Sequence, residues 1–442
     1  MRRKTAYYVR QRKEKVSDEL VGKAEHQRYP LVEDKVQAEI MAHVRAEARP
    51  VSKARLIEAL NSSRGKISAE VSRLIEKGLL AEEGLAESEG GRRSPLLGIP
   101  PSAGLIAAVD IGATSIEVAL TTLGSELLAH RGEPADVRDG PVPILSRVKI
   151  LISELLDEQA ANRRDVIAIG LGVPGPVEQA SGLLTVPPIM PGWDRFPIRG
   201  AFAGEYAAPV FIDNDVNVMA LGEHWGGVAK GVDDLIFVKI GTGIGSGIII
   251  DGRLHRGTQG CAGDFGHICV DPDGPICSCG NSGCLEAMAA APAIVLQSER
   301  CAREGDSPPL MALLQEKGEL TMKDVGEAAR RSDYCALTII RRSGRLIGQT
   351  LASAVNVLNP SMIVIGGGVS RVGHALLAEV RSAVYQRSLP LATRNLPIVM
   401  SELDDVAGVV GASVMAASEV LSLASRKQTQ PSAGVVGVRR GA

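Results

Sequence analysis

The cysteines of this 442-residue chain are concentrated in one glycine-rich stretch. Five of the seven lie between positions 261 and 284, and three of these follow a histidine in the pattern H-x9-C-x-C-x4-C. Three thiolates and one imidazole can close a tetrahedral zinc site. We therefore predict Zn²⁺ as a cofactor, and the predicted ligands are His267, Cys277, Cys279 and Cys284.

Cys261 and Cys269 stand outside this pattern, and we expect them to be buried, unreactive thiols. The pattern of cysteines in a large chain without a secretory signal favours a metal site over a disulfide framework. Clustered free thiols without a metal are the alternative interpretation.

The segment IDND, which begins at Ile212, ends an apolar run that predicts a buried strand. We expect Asn214 and Asp215 to be exposed at the carboxyl end of this strand, where open α/β sheets bind ligands. An Asn side chain both donates and accepts hydrogen bonds, and an Asp can take a proton from a hydroxyl nucleophile. An ordinary turn is the alternative interpretation of the triplet.

Two glycine turns each connect a pair of predicted strands: DIGATS at Asp110 and GTGIGSG at Gly241. Neither fits the GxGxxG pattern, but together they could present backbone N–H groups to one phosphate chain. A third run, GGGVS, follows a buried strand and suits close approach of the backbone to a nucleotide or to another helix. Tight hairpins are the alternative. The candidate nucleotide-binding residues are Asp110, Gly112, Thr114, Gly241, Thr242, Gly243 and Gly367.

The elements that must position these residues alternate between strand and helix, which predicts an α/β fold with sheets covered on their faces. Aromatic residues make up only 3% of the chain, so Ala, Val, Ile and Leu must build its core. Predicted strands begin at Leu105, Ser115, Val166, Pro209, Leu235, Met362 and Leu396, and predicted helices span about 142–159, 216–228, 287–301 and 332–358.

The N-terminal part has a different pattern: three helices between 31 and 77, then two short strands around an arginine-tipped hairpin. This is the outline of an α+β winged helix-turn-helix. Residues 1–100 carry 20 Lys and Arg against 15 Asp and Glu, whereas residues 101–442 carry 29 against 36. The basic head predicts a polyanion partner, double-stranded DNA. Candidate DNA contacts are Ser63, Arg64, Lys66, Ser68, Arg92 and Arg93.

A solvated charged helix and a protein-interaction domain are the alternatives for this head. Residues 1–30 and 426–442 have compositions typical of disordered segments. The apolar run that begins at Val406 contains Glu419 and several serines, so it predicts a packed helix instead of a membrane span. These features favour a cytoplasmic protein without a membrane partner.

In this order, the motifs of residues 105–425 resemble those of the ROK family of repressors and sugar kinases, through GTQGCAGDFGHICV and CSCGNSGCLE in particular. The resemblance implies an actin-like ATPase (ribonuclease H-like) sugar-kinase fold of two lobes, with a sugar held between them. Asp215 would be the catalytic base in kinase members, and His267 would bind zinc through one ring nitrogen and sugar through the other. The implied sugar contacts are Gly175, Asn214, Asp215, Asp264, His267 and Glu286.

Three departures from the family's kinases favour its regulator branch. Ala113 and Ser115 replace residues of the usual DxGGTK turn, and Asp264 replaces a longer Glu. Together with the head at 31–100, they predict a homodimeric or homotetrameric regulator whose affinity for operator DNA is set by a sugar or sugar phosphate. The alternatives are an ATP- and Mg²⁺-dependent sugar kinase with a vestigial head, and a regulator switched by a protein partner.

Overall fold

The computed structural model describes residues 30–47, 49–85, 94–179 and 181–423. The segments expected to be disordered, 1–30 and 426–442, lie outside these ranges apart from Pro30. Arg92 and Arg93, the two arginines of the predicted wing, also lie outside them.

Three helices and the two strands of a hairpin form the head, as predicted, and a short additional strand, Val51–Ser52, extends the hairpin to a three-stranded antiparallel sheet. Each helix begins after a side chain that accepts a hydrogen bond from the backbone N–H three residues later: Asp34, Ser52 and Ser63. Gly78, at a φ of 71°, ends the third helix. The elements are α1 (Lys35–Ala46), β1 (Val51–Ser52), α2 (Lys53–Ala59), α3 (Arg64–Glu76), β2 (Ala81–Leu85) and β3 (Pro95–Gly98).

Two five-stranded sheets of the same topology form the two lobes of the body. In each sheet, three consecutive strands pair antiparallel, and two later strands add in parallel beside the first of the three. The first sheet contains β4 (Leu105–Ile111), β5 (Ser115–Thr122), β6 (Leu127–Pro134), β7 (Val166–Val173) and β10 (Val210–Asn214). The second contains β11 (Leu235–Ile240), β12 (Ile244–Ile250), β13 (Arg253–Leu254), β14 (Met362–Gly366) and β15 (Ile398–Met400), and a separate ribbon pairs β8 (Val177–Glu178) with β9 (Leu183–Leu184).

Helices cover both sheets, and their buried positions recur at helical spacing. Leu145, Val148 and Ile152 are buried in the first lobe, and Ile340 and Ile347 are buried in the second. The helices are α4 (Pro141–Glu158), α5 (Ile198–Phe202), α6 (Asp215–Gly226), α7 (Leu285–Ala289), α8 (Ala291–Arg303), α9 (Pro308–Lys317), α10 (Met322–Arg330), α11 (Tyr334–Leu358), α12 (His374–Arg387), α13 (Pro390–Thr393) and α14 (Ala407–Val420). Within the described ranges, every helix is too short or too polar to cross a bilayer.

Helices α6 and α14 join the two lobes. Helix α14 packs on β4 and β7 of the first sheet, and α6 packs on β11 and β12 of the second. The two helices approach each other at Gly222 and Gly411, where backbone atoms of the opposite helix leave no room for a Cβ atom. The two glycines therefore allow the helices, and with them the two lobes, to pack closely together.

The head and the body share one buried apolar cluster. Val32 and Met41 of the head belong to it, together with Leu123, Met415 and Val420 of the body. The backbone N–H of Leu31 also donates to the carbonyl oxygen of Val420 at 3.0 Å. The head is therefore packed against the end of α14.

Several elements are additional to those predicted, among them β6, α9 and α10. Strand β6 lies at the edge of its sheet, and most of its residues are half-exposed or exposed, so its sequence lacks the apolar alternation of a half-buried strand.

At the junction of α8 and α11, Cys301 and Cys335 form a disulfide with their Cα atoms 6.6 Å apart.

Candidate ligand cleft and metal centre

The positions predicted to contact a sugar line one cavity between the lobes. They come from separate parts of the chain: a loop after β7, the junction of β10 with α6, the loop after β13, and helix α7. These positions are Gly175, Asn214, Asp215, Asp264, His267 and Glu286. The fold therefore brings all six together.

Asn214 and Asp213 fix the shape of the junction between β10 and α6. Asn214 caps α6, because its Oδ1 accepts the backbone N–H of Val216 at 2.9 Å, while its Nδ2 donates to the carbonyl of Gly175 at 3.1 Å. Asp213 is buried and accepts a hydrogen bond from Arg256 Nε at 2.6 Å. Asp213, the first residue of the Asp-Asn-Asp triplet, therefore forms a structural ion pair with Arg256, which the sequence did not predict.

Asp215 is buried, which corrects the prediction that it is exposed at the end of the strand. As the first residue of α6, it turns toward β11 instead of toward solvent. Its Oδ2 lies 2.5 Å from the Nζ atom of Lys239, and its Oδ1 accepts the N–H of Val216 at 2.9 Å. Both oxygens of the predicted base therefore already have partners.

Asp110 is a second buried carboxylate beside the first, and it lies against Gly408 in the first turn of α14. Its Oδ1 has no hydrogen-bond partner among the described residues. Burial raises the pKa of Asp110 to about 7; Lys239 opposes this shift and Asp215 adds to it. Burial alone would lower the pKa of Lys239, but Asp215 and Asp110 outweigh it, and the net shift is upward.

The glycine turn between β11 and β12 already holds a carboxylate. Glu286 Oε2 accepts the backbone N–H of Ile244 at 3.0 Å and lies against Gly243. The turn itself is closed by the N–H of Gly241, which donates to the carbonyl of Gly243 at 2.9 Å. Of the candidate nucleotide-binding residues, Thr242 and Gly243 line the cavity.

The other candidate nucleotide-binding residues lie outside the lining: Asp110 at the end of β4, and Gly112, Thr114, Gly241 and Gly367 in the turns that follow strands. The N–H of Gly112 donates to the carbonyl of Ser115 at 2.8 Å and closes the hairpin that contains Thr114. Gly367 has a φ of 87°, and the backbone of Ile240 in β11 occupies the space of a Cβ atom. The close backbone contact that was expected for this glycine run is therefore a contact with strand β11.

The four predicted metal ligands form one cluster. Their ligand atoms all lie within 4.8 Å of one another, with Cys279 Sγ 3.7 Å from Cys284 Sγ and Cys277 Sγ 3.6 Å from His267 Nδ1. A tetrahedron with ligands about 2.3 Å from its centre has edges of about 3.8 Å. Donor types and spacing therefore fit a zinc ion.

His267 connects this cluster to the cavity. Its Nδ1 is directed toward Cys277, while its Nε2 lies 3.9 Å from Asp264 Oδ1, and both His267 and Asp264 line the cavity. Burial and the neighbouring thiols raise the pKa of Cys284 to about 12, so a metal-free site keeps this thiol protonated. A bound cation would favour the thiolate instead.

Cys261 and Cys269 are exposed, which corrects the prediction that they are buried. Both lie in the loop that carries His267, and this loop follows the surface of the lobe instead of entering its core. Cys261 lines the cavity, whereas Cys269 does not.

The head presents its candidate DNA contacts at the first turn of α3. Arg64 and Lys66 are exposed, Ser68 is half-buried, and Ser63 accepts the backbone N–H of Lys66 at 3.4 Å as the N-cap. Among the described residues, no carboxylate lies within ion-pair distance of Arg64 or Lys66. Both cations are therefore available to a polyanion.

Arg45 is a functional candidate that the sequence did not reveal. It lies in the last turn of α1, where a basic residue usually predicts a solvated helix end, but it is buried against the body. Its guanidinium donates to Ser125 Oγ at 3.1 Å and to Ser418 Oγ at 3.2 Å, and lies 5.0 Å from the centroid of the Trp225 ring. Burial lowers its pKa to about 10, so it remains charged at neutral pH.

Comparisons with known proteins match both parts of the chain. The family model described as ROK family matches residues 106–419, and a model described as winged helix DNA-binding domain matches residues 34–99. A xylose repressor from Caldicellulosiruptor bescii is 31% identical over 373 residues, which cover 84% of this chain and 93% of the repressor.

Two further similarities concern a kinase and a solved structure. A glucokinase from Halalkalibacterium halodurans is 33% identical over 323 residues, which cover 73% of this chain and 98% of the kinase. The crystal structure of a ROK family transcriptional regulator, a homolog of the Escherichia coli Mlc protein, has a TM-score of 0.74 at 27% identity. The alignment covers 87% of this chain and 96% of that one.

Proposed function

The chain belongs to the ROK family, and from that premise we propose that it is a transcriptional regulator that binds operator DNA through its head. A sugar or sugar phosphate in the cleft sets the affinity of this binding. The similarity to a protein named xylose repressor supports the proposal, because it covers 84% of the chain. The similarity to a glucokinase covers 73%.

The charge and shape of the head support DNA as the partner. The first turn of a recognition helix enters the major groove, where Arg and Lys contact base edges and phosphates. Arg64 and Lys66 are exposed at this turn of α3. A homodimer or homotetramer on a palindromic operator would place two such helices in successive half-sites.

The observation that carries the effector control is the pair of helices that connects the cleft to Arg45. Helix α6 begins at Asp215 and reaches Trp225 in its last turn, and α14 contacts Asp110 in its first turn and reaches Ser418 in its last turn. In each helix ten residues separate the two contacts, about 15 Å. Both helices therefore end on the same buried guanidinium of the head.

This arrangement gives the ligand a mechanical path to the DNA-binding surface. A sugar that hydrogen-bonds to Asp215 would act on the start of α6, and a shift of α6 would carry α14 with it and so displace both partners of Arg45. The two helices are in tight contact at Gly222 and Gly411, so they cannot slide independently. Coupling of this kind is a free energy between two sites, and it is reciprocal.

We further propose that the cluster of His267 and three cysteines binds zinc as a closed structural site. When bound, the ion would neutralise the thiolates and fix the loop that carries Asp264 and His267. The imidazole would then present its Nε2 to a sugar hydroxyl from a fixed position, since the other ring nitrogen is held. The cluster would thus fix the position of cleft residues and take no part in a reaction itself.

A sugar kinase is the second candidate function. Asp215 lies where a base could take a proton from a sugar hydroxyl, and one similar protein is named a glucokinase. The ion pair of Asp215 with Lys239 disfavours this role, because a base must be free to accept the proton.

The decisive experiment measures DNA affinity of the full-length protein by fluorescence anisotropy, on operator fragments selected from the genome. Xylose, glucose and N-acetylglucosamine, with and without phosphate groups, are the effector panel. We expect one of them to change the Kd by about tenfold or more, a coupling of about 1.4 kcal/mol. Asp215→Asn should weaken this effect because it removes a charged acceptor.

Arg45→Lys tests the path between the sites. The lysine keeps the charge but cannot bond Ser125 and Ser418 together, so we expect the sugar effect on DNA affinity to fall several-fold. Arg49→Lys, at an exposed position of the same segment, is the matched control. If glucose is instead phosphorylated at ordinary enzyme rates, and no sugar alters DNA binding, the kinase is the correct function.

Occupancy of the cleft can be read independently from two exposed thiols. A bound sugar should slow alkylation of Cys261, which lines the cavity, and leave the rate at Cys269 unchanged. Mass spectrometry of the alkylated peptides reports both rates in one sample.

A further inference from the structure

We propose that the charged sites of the cleft are occupied by its own side chains, with Lys239 in place of a divalent cation and Glu286 in place of a phosphate. The cleft then takes a neutral sugar and excludes both a magnesium nucleotide and a phosphorylated sugar. This inference rests on the proposed sugar cleft and narrows the class of its ligand.

The first half of the argument concerns the cation. Transfer of a phosphoryl group needs a base at the sugar hydroxyl and a metal ion on the phosphates. The ammonium of Lys239 lies 2.5 Å from Asp215 Oδ2, and its charge also acts on Asp110. A divalent cation at these two carboxylates would be repelled at short range by the partly buried ammonium of Lys239. The residues present therefore do not fit Mg²⁺.

The second half concerns the anion. A glycine turn binds a phosphate because its backbone N–H groups point into a concave space. In this turn the N–H of Ile244 already donates to Glu286 Oε2 at 3.0 Å, and the carboxylate lies against Gly243. A phosphate at the same turn would have to displace this carboxylate or share the space with it, and both charges are negative.

The charged side chains that line the cavity also argue against a phosphorylated ligand. Asp215, Asp264 and Glu286 line it, and Lys239 is the one Lys or Arg among the described lining residues. Because that ammonium is paired with Asp215, no cation is left over for a phosphate of charge about −2. Carboxylates are hydrogen-bond acceptors, so they suit the hydroxyl donors of an uncharged sugar.

The cation half is tested with Mn²⁺, a paramagnetic stand-in for Mg²⁺, by electron paramagnetic resonance on the zinc-loaded full-length protein. Lys239→Met leaves Asp110 and Asp215 without their counter-charge, so we expect it to bind Mn²⁺ about tenfold more tightly than the wild type, or more. Lys239→Arg keeps the cation and should behave as the wild type does. Asp215→Asn in the Lys239→Met background should abolish the new site.

Two results would overturn this half. One is Mn²⁺ binding by the wild type that is as tight as binding by Lys239→Met and is lost in Asp215→Asn. The other is a Lys239→Met protein with full zinc content and an unchanged melting profile that gains no Mn²⁺ affinity. Lys239→Gln repeats the measurement with a polar neutral side chain if the Met variant does not fold.

The anion half is tested by thermal stabilisation with paired ligands, since a ligand that binds the folded state raises its melting temperature. Glucose, xylose and N-acetylglucosamine are compared with glucose 6-phosphate and N-acetylglucosamine 6-phosphate. We expect a neutral member to stabilise the wild type and its phosphorylated partner to have no effect. Glu286→Gln should raise the affinity for the phosphorylated form relative to the neutral form by about tenfold. Asp273→Asn, an exposed carboxylate of the zinc loop outside the cavity, is the control and should leave this ratio unchanged.

Failure of this inference differs from failure of the proposed function. If a phosphorylated sugar stabilises the wild type more than the neutral form and releases it from DNA, the regulator stands and the ligand class is wrong. If a neutral sugar binds and DNA affinity does not respond, the ligand class stands and the regulator is wrong.

Discussion

The head and the cleft use charge in opposite ways. In the head, Arg64 and Lys66 are exposed and have no carboxylate within ion-pair distance among the described residues. In the cleft, Lys239 is paired with Asp215, and Glu286 is held on the glycine turn. The exposed cations of the head attract any polyanion from a distance. The paired Lys239 and the bound Glu286 of the cleft have little attraction left for a charged ligand.

This difference teaches where specificity originates in each region. Exposed charges act over about a Debye length and are weakened by salt, so the head must gain its selectivity from base contacts. Paired charges in a partly closed cleft act only on a ligand that fits between them, and salt screens them much less. Variants at both places can therefore break or sharpen the contrast.

The largest effect is expected from loss of the metal ligands. Cys279→Ser should lose zinc, because three ligands leave the tetrahedron open, and the loop with His267 should lose its order. Structural zinc contributes about 10–16 kcal/mol of apparent binding free energy in small zinc domains, so the loss should abolish sugar binding. Metal analysis should find about one zinc per chain in the wild type.

Cys269→Ser is the matched control, since this exposed cysteine of the same loop is outside the ligand set. A reductively purified, well-folded wild type without zinc would contradict the metal site.

The next largest effect is expected on the pH dependence of folding stability, through the buried Asp110. The folded-state pKa is raised from its ordinary 3.8 to about 7 by burial, so the native state binds more protons than the unfolded state between these values. Stability therefore falls as pH rises from about 4 to about 7, by up to about 4 kcal/mol from this group, and the cost is fully present above pH 7.

Asp110→Asn cannot ionise and should remove that cost. Urea unfolding at pH 5 and pH 8 should show a stability gap between variant and wild type that widens toward pH 8. A gap of equal size at both pH values would mean that the ionisation of Asp110 does not affect stability.

A smaller effect is expected from the head. Arg64→Ala should cost about 1–3 kcal/mol of discrimination between operator and unrelated DNA if this arginine reads a base. Arg92→Ala with Arg93→Ala, from the predicted wing, should instead weaken binding to all sequences and lower the salt dependence. Anisotropy titrations at several salt concentrations separate the two behaviours, and equal losses on all sequences for both variants would count against base reading by Arg64.

The smallest effect is expected at Gly65 in the first turns of α3. It has a helical backbone, and a Cβ atom there would meet nothing within 4 Å. Gly65→Ala should therefore stabilise the protein by up to about 1 kcal/mol in thermal unfolding. If DNA affinity falls while stability rises, the glycine permits close approach of α3 to the groove; unchanged affinity assigns it no such role.

Sequence patterns could predict the grouping of the four proposed metal ligands and the position of Asn214 and Asp215, because short spacings and glycine turns fix them locally. The other cleft residues were implied by the resemblance to the ROK family. His267, Cys277, Cys279 and Cys284 lie within one loop, and Asn214 with Asp215 follow a strongly apolar strand. The alternation of strands and helices was also sufficient to predict an α/β fold with covered sheets, whereas the two lobes were implied by the resemblance to the ROK family.

Tertiary pairing of charges could not be predicted in the same way. A lysine within the apolar strand LIFVKI gives no indication of its partner, because Asp215 lies 24 positions away along the chain. Arg45 is further from its partners still, since Ser418 is 373 positions away. Arg45 has the sequence context of an ordinary solvated charge, and only the packing of the head against α6 and α14 buries it.

The shared apolar cluster of the head and the body has a consequence for protein engineering. Val32 and Met41 complete a core that Leu123, Met415 and Val420 begin, so the boundary near residue 100 divides the sequence but does not divide the core. A chimaera that joins this head to another sensor by cutting there would expose one side of that core and strand Arg45 without Ser125, Ser418 and Trp225. A working graft would have to transplant the docking face of the body as well, including the final turn of α14 and the turn between β5 and β6.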